Sequence, residues 1–394
     1  MISSKARMRI LSVHNRYNLA GGEDTVFAAE SELLRNGGHD VETFEVSNDA
    51  IIGVGGAAKA ALLTAYNGNS KRAVGAAIDN FRPDVVHVHN FFPLLSPSVF
   101  DACGSRGVAS VWTLHNFRMT CANGLLFRNG APCMDCVGNA PLPAIMHACY
   151  RNSRPASAVV AGMIATHRAL GTWRKKVDRF IALTEFAKRI FIEAGIPGDK
   201  IAIKANFISD PGLSDPDVPR EGAIYVGRLS PEKGVATLVD AWHSVDYPLT
   251  IVGDGPERGV LEARAPDNVT FAGWQAPGEV AAAVARAQVQ IIPSLWYENF
   301  PMTLVEANAA GTPVVASRHG ALESIVEDGQ NGALFEPGDP NDLANTVRRL
   351  FEQPEALNRM RLAARNTYKS RSAPDVNLSK LMDIYTQAIA ERAK

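Results

Sequence analysis

Short apolar runs and stretches of helical apolar spacing alternate along this chain, and the alternation occurs twice. Residues 9–13 (RILSV) read as a short buried strand, and 18–22 (NLAGG) as a loop. From about Glu23 to Arg35 the spacing predicts a helix with Val26, Ala29 and Leu33 on one face. Gly37 and Gly38 supply its stop. Residues 41–44 open a second strand, and 85–89 (VVHVH) and 109–115 (ASVWTLH) are two more. Strand, helix, strand is the rhythm of a doubly wound parallel sheet. Past Ile208 the rhythm restarts, with strands expected at 223–226, 248–252, 269–271, 289–292 and 313–316. Helices are expected at 232–243, 257–264 and 277–287. The Pro-rich stretch 210–219 reads as a linker, so two Rossmann-like domains are expected to join near 206–220. The last segment, 376–394, has a helical pattern.

Composition narrows the class. With 394 residues, 46% hydrophobic and 21% charged, the chain can bury a sizeable core. A net charge of −1 argues against nucleic acid as a partner. No apolar run reaches the ~20 residues of a membrane span, and Met1–Lys5 begins no secretory leader. A cytoplasmic enzyme is expected, resting at most on the inner face of a membrane. Between Arg151 and Arg189 nine Lys and Arg face only Asp178 and Glu185, with Val159, Val160, Met163, Ile164 and Trp173 interleaved. Such a stretch can sit on anionic lipid or can be a solvated helix face.

Two segments carry the chemistry. In E-N-F-P-M-T-L-V-E, Pro301 fits the first turn of a helix, with Glu298 just before it and Glu306 about two turns in. A helix N-terminus attracts anions, and carboxylates beside it accept hydroxyl hydrogen bonds; a capped surface helix is the plain alternative. In G-R-L-S-P-E-K-G at 227–234, Arg228 and Lys233 flank a turn made by Pro231 and Gly234, directly after a strand. Two cations so held suit a diphosphate.

Together the segments resemble the retaining GT-B glycosyltransferases of family 4, the type found in bacterial polysaccharide and glycolipid synthesis. The resemblance implies an α/β GT-B fold, two Rossmann-like doubly wound domains facing a central cleft. Residues 1–205 would be the acceptor-side domain, with a Cys-rich insertion at about 117–150. Residues 206–375 would bind the nucleotide sugar, and 376–394 would cross back as a helix. Arg228 and Lys233 would grip the diphosphate, Glu306 the ribose hydroxyls and Glu298 the donor sugar. Backbone N–H groups near Phe300, Met302 and Thr303 would meet sugar and phosphate. Gly21 and Gly22 would let the first loop approach the donor, and His115 would reach the sugar and complete a catalytic set with Arg228, Lys233 and Glu298. Asn116 stands where the family usually shows an acid. His87, His89 and Asn90 resemble a strand-end motif beside the acceptor, and Trp274 lies where the family holds the base.

The reaction implied is retaining, metal-independent transfer of a hexosyl group from a nucleotide sugar to a saccharide or lipid-linked acceptor. No cofactor is required for it. Asp215-Pro216-Asp217 matches a metal-binding D-x-D pattern but falls in the linker. A sugar-nucleotide epimerase or a non-catalytic sugar-nucleotide-binding subunit are the alternatives; no G-x-G-x-x-G follows the first strand, which disfavours a dinucleotide oxidoreductase. Separately, Cys121, Cys133, Cys136 and Cys149 form C-x11-C-x2-C-x12-C. In a cytoplasmic chain this spacing suits a structural zinc on four thiolates, with His147 as a substitute ligand, or else a set of buried thiols. Cys103 lies outside the cluster and is expected to be packed.

Overall fold

The computed structural model describes residues 7–18, 21–212 and 219–394. Leu19 and Ala20 of the first loop, the Met1–Lys5 terminus and Asp215-Pro216-Asp217 lie outside them. The chain divides into two compact units: Met1–Leu125, Met134–Lys204 and Asn377–Lys394 form the first, Leu126–Cys133 and Ala205–Val376 the second.

The first unit is built on β1 (Arg9–Arg16), β2 (Asp40–Ser47), β3 (Val85–Val88) and β4 (Ala109–Thr113). After the two-strand hairpin β5 (Phe127–Arg128) and β6 (Ala131–Pro132), β7 (Arg179–Ala182) and β8 (Ile201–Ile203) complete the sheet. Its order is β2-β1-β3-β4-β7-β8, all parallel. β3 (VVHV) and β4 (ASVWT) are buried at every position, so neither shows the in/out alternation of a half-exposed strand. Ile10, Leu34, Val85, Val111 and Ile181 pack with Leu381, Met382, Ile384 and Tyr385 of the last helix, Pro374–Arg392.

The second unit holds β9 (Ala223–Val226), β10 (Leu249–Val252), β11 (Val269–Gly273), β12 (Val289–Ile292), β13 (Val314–Ser317) and β14 (Gly332–Phe335). The order is β11-β10-β9-β12-β13-β14, again all parallel. One core lies around Leu238, Trp242 and Phe335, a second around Leu304, Ala307 and Leu322.

Two sequence readings are corrected here. The helix Gly22–Asn36 buries Val26, Phe27, Glu30, Ser31 and Leu34, not the stripe through Ala29 and Leu33. Its inner face is turned toward Glu30, whose carboxylate is held inside by a cation. In the basic stretch, Val160, Met163, Ile164 and Trp173 are core residues. Lys176 is paired with Asp101, and Arg179 with Glu391. Val160, Met163 and Ile164 form the inner stripe of the helix Arg154–Ala169 and Trp173 is buried in the helix Thr172–Lys176, so these side chains do not share the surface of the basic ones.

The chain leaves the first unit after Lys204 and re-enters it at Asn377. The fully buried Lys204 Nζ donates to Glu30 Oε2 at 2.6 Å and to Asn377 Oδ1 at 2.8 Å. Burial alone would raise the Glu30 carboxyl, but Lys204, His87 and His89 hold it well below its ordinary value. Both passages of the chain are thus pinned to one buried ion pair. Removing one partner of such a pair strands the other charge in the core. Lys204→Met alone is expected to cost about 3–5 kcal/mol in denaturant unfolding, and adding Glu30→Met to recover most of the loss.

Candidate functional site

In the second unit the strand order reverses between β9 and β12, and parallel sheets bind ligands beyond the carboxyl ends of strands at such a point. The loop after β9 carries Arg228, Ser230 and the turn Pro231–Lys233. Gly234 follows at φ +68°, where a Cβ would fall 2.0 Å from the Pro293 carbonyl oxygen. Only glycine lets this turn lie so close to the end of β12. Leu295 N donates to Glu232 O at 2.9 Å and ties the two loops together.

Lys233 and Glu298 meet here. Lys233 Nζ donates to Glu298 Oε1 at 2.7 Å, and Ser294 Oγ donates to the same oxygen at 2.8 Å. The ammonium also lies 5.1 Å from the centroid of the Trp296 ring. Glu298 is 5% exposed, so it would be costly without these partners. Arg228, by contrast, is exposed. Ser294 and Trp296 were missed by sequence reasoning; the available signal was their position just past a strand at the reversal.

The following helix, Met302–Ala309, begins one residue later than its sequence suggests, with Pro301 as its N-cap. Glu306 is therefore its fifth residue, little more than one turn in rather than about two. Met302 and Thr303 supply first-turn N–H groups that no helical carbonyl can reach. Phe300, partly buried, packs on the core beneath. Glu306 is partly buried, and burial raises its carboxyl above the ordinary 4.5. Among the described residues it has no hydrogen bond or ion pair. His319 Nε2 lies 2.7 Å from Ser294 O and buttresses the β12 loop. Trp274, just past β11, is 75% exposed.

In the first unit the reversal falls between β1 and β3. Gly21 caps the helix Gly22–Asn36, its N–H donating to Asp24 Oδ2 at 2.7 Å, and Gly22 is the first helical residue. Beside them stands Glu23, unnoticed in the sequence. Asn90 Nδ2 donates to its Oε1 at 3.1 Å and Asn116 Nδ2 to its Oε2 at 3.2 Å. Burial pushes this carboxyl up to about 7, against the opposing pull of Arg118 and Asn116. Asn116 thus does not supply an acid but holds one that comes from the first helix.

His115 is half-buried at the end of β4, its Nε2 3.1 Å from His89 Nδ1. His87 Nδ1 and His89 Nε2 lie 3.1 and 3.4 Å from Glu30 Oε1. His14 Nε2 bonds Asp24 Oδ1 at 2.9 Å. Glu30, His87 and His89 are close enough together to share a cation. Lys204 neutralises the carboxylate from its other oxygen, Oε2. The cysteine-bearing stretch is turn-rich, with Cys136 buried and Cys121, Cys133 and Cys149 half-buried.

Comparison with known proteins places both halves of the chain beside glycosyltransferases. The chain matches the model of glycosyltransferase family 4 over residues 20–210 and that of glycosyl transferases group 1 over residues 215–367. It is similar to glycosyltransferases along most of its length. The group 1 match covers the β9–β12 site, and the family 4 match the histidine cluster. Phosphatidyl-myo-inositol mannosyltransferase of Mycobacterium leprae is 32% identical over 238 residues, 57% of this chain and 63% of that protein. The chain therefore spans less than two thirds of that relative's length. Among solved structures, Anabaena HepE in complex with UDP superposes with a TM-score of 0.68 at 19% identity, over 96% of this chain and 100% of that one. Sucrose-phosphate synthase of Thermosynechococcus elongatus gives 0.69 at 17% identity, over 98% and 100%. At such identities the likeness is one of fold, and GT-B is the fold.

The raised Glu306 carboxyl has a consequence for stability. Below pH 4.5 the folded and unfolded chains both keep the proton and burial costs nothing. As pH rises past that value the unfolded chain ionises first and stability is lost. Glu306→Gln is expected to melt higher than the parent protein at neutral pH, with the gap closing in acid. Paired melting curves across pH check the sign.

Proposed function

We propose that the chain transfers a hexosyl group from a nucleotide sugar to a saccharide or lipid-linked acceptor, with retention and without a catalytic metal. The observation that carries this reading is the Lys233–Glu298 contact at the sheet reversal, with exposed Arg228 and unpartnered Glu306 on the same strand-end face. Arg228 and Lys233 hold the departing diphosphate, aided by the first N–H groups of the helix at Met302 and Thr303. Glu306 accepts the ribose hydroxyls and Glu298 those of the sugar. In the first unit, Gly21, Gly22 and His115 are the candidate sugar contacts. HepE of Anabaena has UDP bound, and the M. leprae relative is named for mannosyl transfer to phosphatidyl-myo-inositol; both support a nucleotide-sugar donor and a hydroxyl acceptor here.

Retention is what the resemblance to family 4 implies. With one oxygen engaged by Lys233 and Ser294, Glu298 serves this reading as a binding group rather than a nucleophile. The acceptor oxygen attacks the anomeric carbon on the face the phosphate leaves. The bond from that carbon to the phosphate oxygen breaks, the new glycosidic bond forms, and the acceptor's proton passes to the leaving phosphate. Charge developing on the diphosphate meets fixed cations, which is the role a divalent ion has in other transferases.

One further element belongs to this reading. Membrane contact is peripheral and anionic. The exposed Arg174 and Lys175 serve it, with the exposed Leu170 as an apolar contact.

A thermal-shift screen against UDP-, GDP- and ADP-sugars, followed by turnover with and without chelator, tests the main claim. One donor class is expected to raise the melting temperature, and turnover to survive chelation. No shift with any of the three, or turnover extinguished by chelator and restored by magnesium, would refute it. Vesicles with anionic lipid are expected to retain the protein where neutral vesicles do not.

A further inference from the structure

The first unit contains a fully buried carboxylate and a chain of imidazoles that lead from it to His115. Glu30 Oε2 is taken by Lys204 at 2.6 Å. Its other oxygen faces His87 Nδ1 at 3.1 Å and His89 Nε2 at 3.4 Å. His87 is held at both nitrogens, by Tyr385 Oη at 2.7 Å and Thr113 Oγ1 at 2.8 Å. His89 has a neighbour near each ring nitrogen: the carboxylate 3.4 Å from Nε2 and His115 Nε2 3.1 Å from Nδ1. The His89 and His115 rings stack with centroids 5.3 Å apart and planes 17° from parallel.

Both rings are neutral at physiological pH. Burial, then the neighbouring His87, pushes His89 down to about 3, and burial with His89 takes His115 well below the ordinary 6.5. A neutral imidazole carries one N–H, and its partners decide where. With the proton on Nδ1, the bare Nε2 of His89 would point its lone pair at a buried carboxylate that has no proton to offer. With the proton on Nε2, the N–H dipole faces the negative charge. The second arrangement wins in a low-dielectric interior. Nδ1 of His89 is then an acceptor, and its hydrogen-bond partner among the described residues is His115 Nε2, which must donate. The proton of His115 is fixed on Nε2, and its Nδ1 is left as a bare acceptor.

We infer that Glu30 is a positioning residue that acts through His89 to hold His115 in the Nε2–H tautomer, so that His115 accepts a hydrogen bond from a substrate hydroxyl and donates none. The inference rests on the reading of His115 as a sugar contact. It adds a direction to that contact: the substrate group facing His115 is a donor, a hydroxyl rather than a carbonyl or an ether oxygen. It also gives the ion pair at the two chain crossings a task in the site. Lys204 and Asn377 keep Glu30 ionised and aimed, and an ionised carboxylate is what selects the tautomer. An outer-layer carboxylate orienting a histidine in this manner commonly matters by one to two orders of magnitude.

Nitrogen-15 NMR of histidine-labelled full-length protein, with signals assigned by His89→Gln and His115→Asn, reads the tautomers directly. The native protein is expected to show the proton on Nε2 of both rings at neutral pH. In Glu30→Met/Lys204→Met, which keeps the core apolar and paired, His115 is expected to become a mixture of tautomers. Turnover is expected to fall roughly 10- to 100-fold, mainly in kcat and with little change in donor KM. An Nδ1–H spectrum for native His115 overturns the inference and needs no variant to fold. So does an unchanged Nε2–H spectrum in the folded double variant. His115→Ala separates the two levels: full turnover in that variant fails the reading of His115 as a sugar contact, whatever the spectra show.

Discussion

A cation and a carboxylate at the reversal of a parallel sheet set the terms for the rest of this molecule. Lys233 comes from the loop after β9 and Glu298 from the loop after β12, 65 residues later. They can meet only because those strands are neighbours in the order β11-β10-β9-β12-β13-β14. They can meet at hydrogen-bond distance only because Gly234 lets one loop press against the other. The sheet supplies adjacency, the glycine supplies approach, and Ser294 fixes the carboxylate oxygen that both contacts share. On the proposed reading, a nucleotide diphosphate entering here would find a cation already in place but with its charge partly committed.

The first unit handles charge differently. Lys204 and Glu30 are sealed in the core, and nothing from solvent competes for them. Such a pair contributes little net stability, since desolvation offsets most of the attraction. What it does contribute is definition: an ionised carboxylate at a fixed point, from which the protonation of two imidazoles follows. One ion pair is partly open and exchangeable, the other closed and permanent. They suit the different tasks of meeting a charged substrate and holding a scaffold.

Much of this was legible in the residue pattern. The apolar runs at 9–13, 85–89, 109–115, 223–226 and 289–292 became strands, because parallel strands buried on both faces are written as unbroken apolar runs. The spacing of Arg228, Lys233, Glu298 and Glu306 pointed to one site, and Lys233 and Glu298 do touch. β7, β8 and β14 were missed. The first two are short and lie in or after a stretch whose charges suggested surface. Glu23 and Glu30 were invisible for a different reason. A Glu in an amphipathic helix reads as solvated, and only the tertiary arrangement shows that one is gripped by Asn90 and Asn116 and the other by Lys204. The same override turned the helix Gly22–Asn36 away from its apparent apolar stripe.

The central claim is that Lys233 is the cation a diphosphate meets and that Glu298 is its competitor until the donor arrives. Calorimetric titration of a free nucleoside diphosphate into Glu298→Gln, beside the parent protein and Lys233→Met, measures this most directly. Relieved of its internal counter-ion, Lys233 in Glu298→Gln should bind the diphosphate more tightly than in the parent, while Lys233→Met should bind it far more weakly. If Glu298→Gln bound it more weakly than the parent, or Lys233→Met bound it equally well, the diphosphate would be held by other groups.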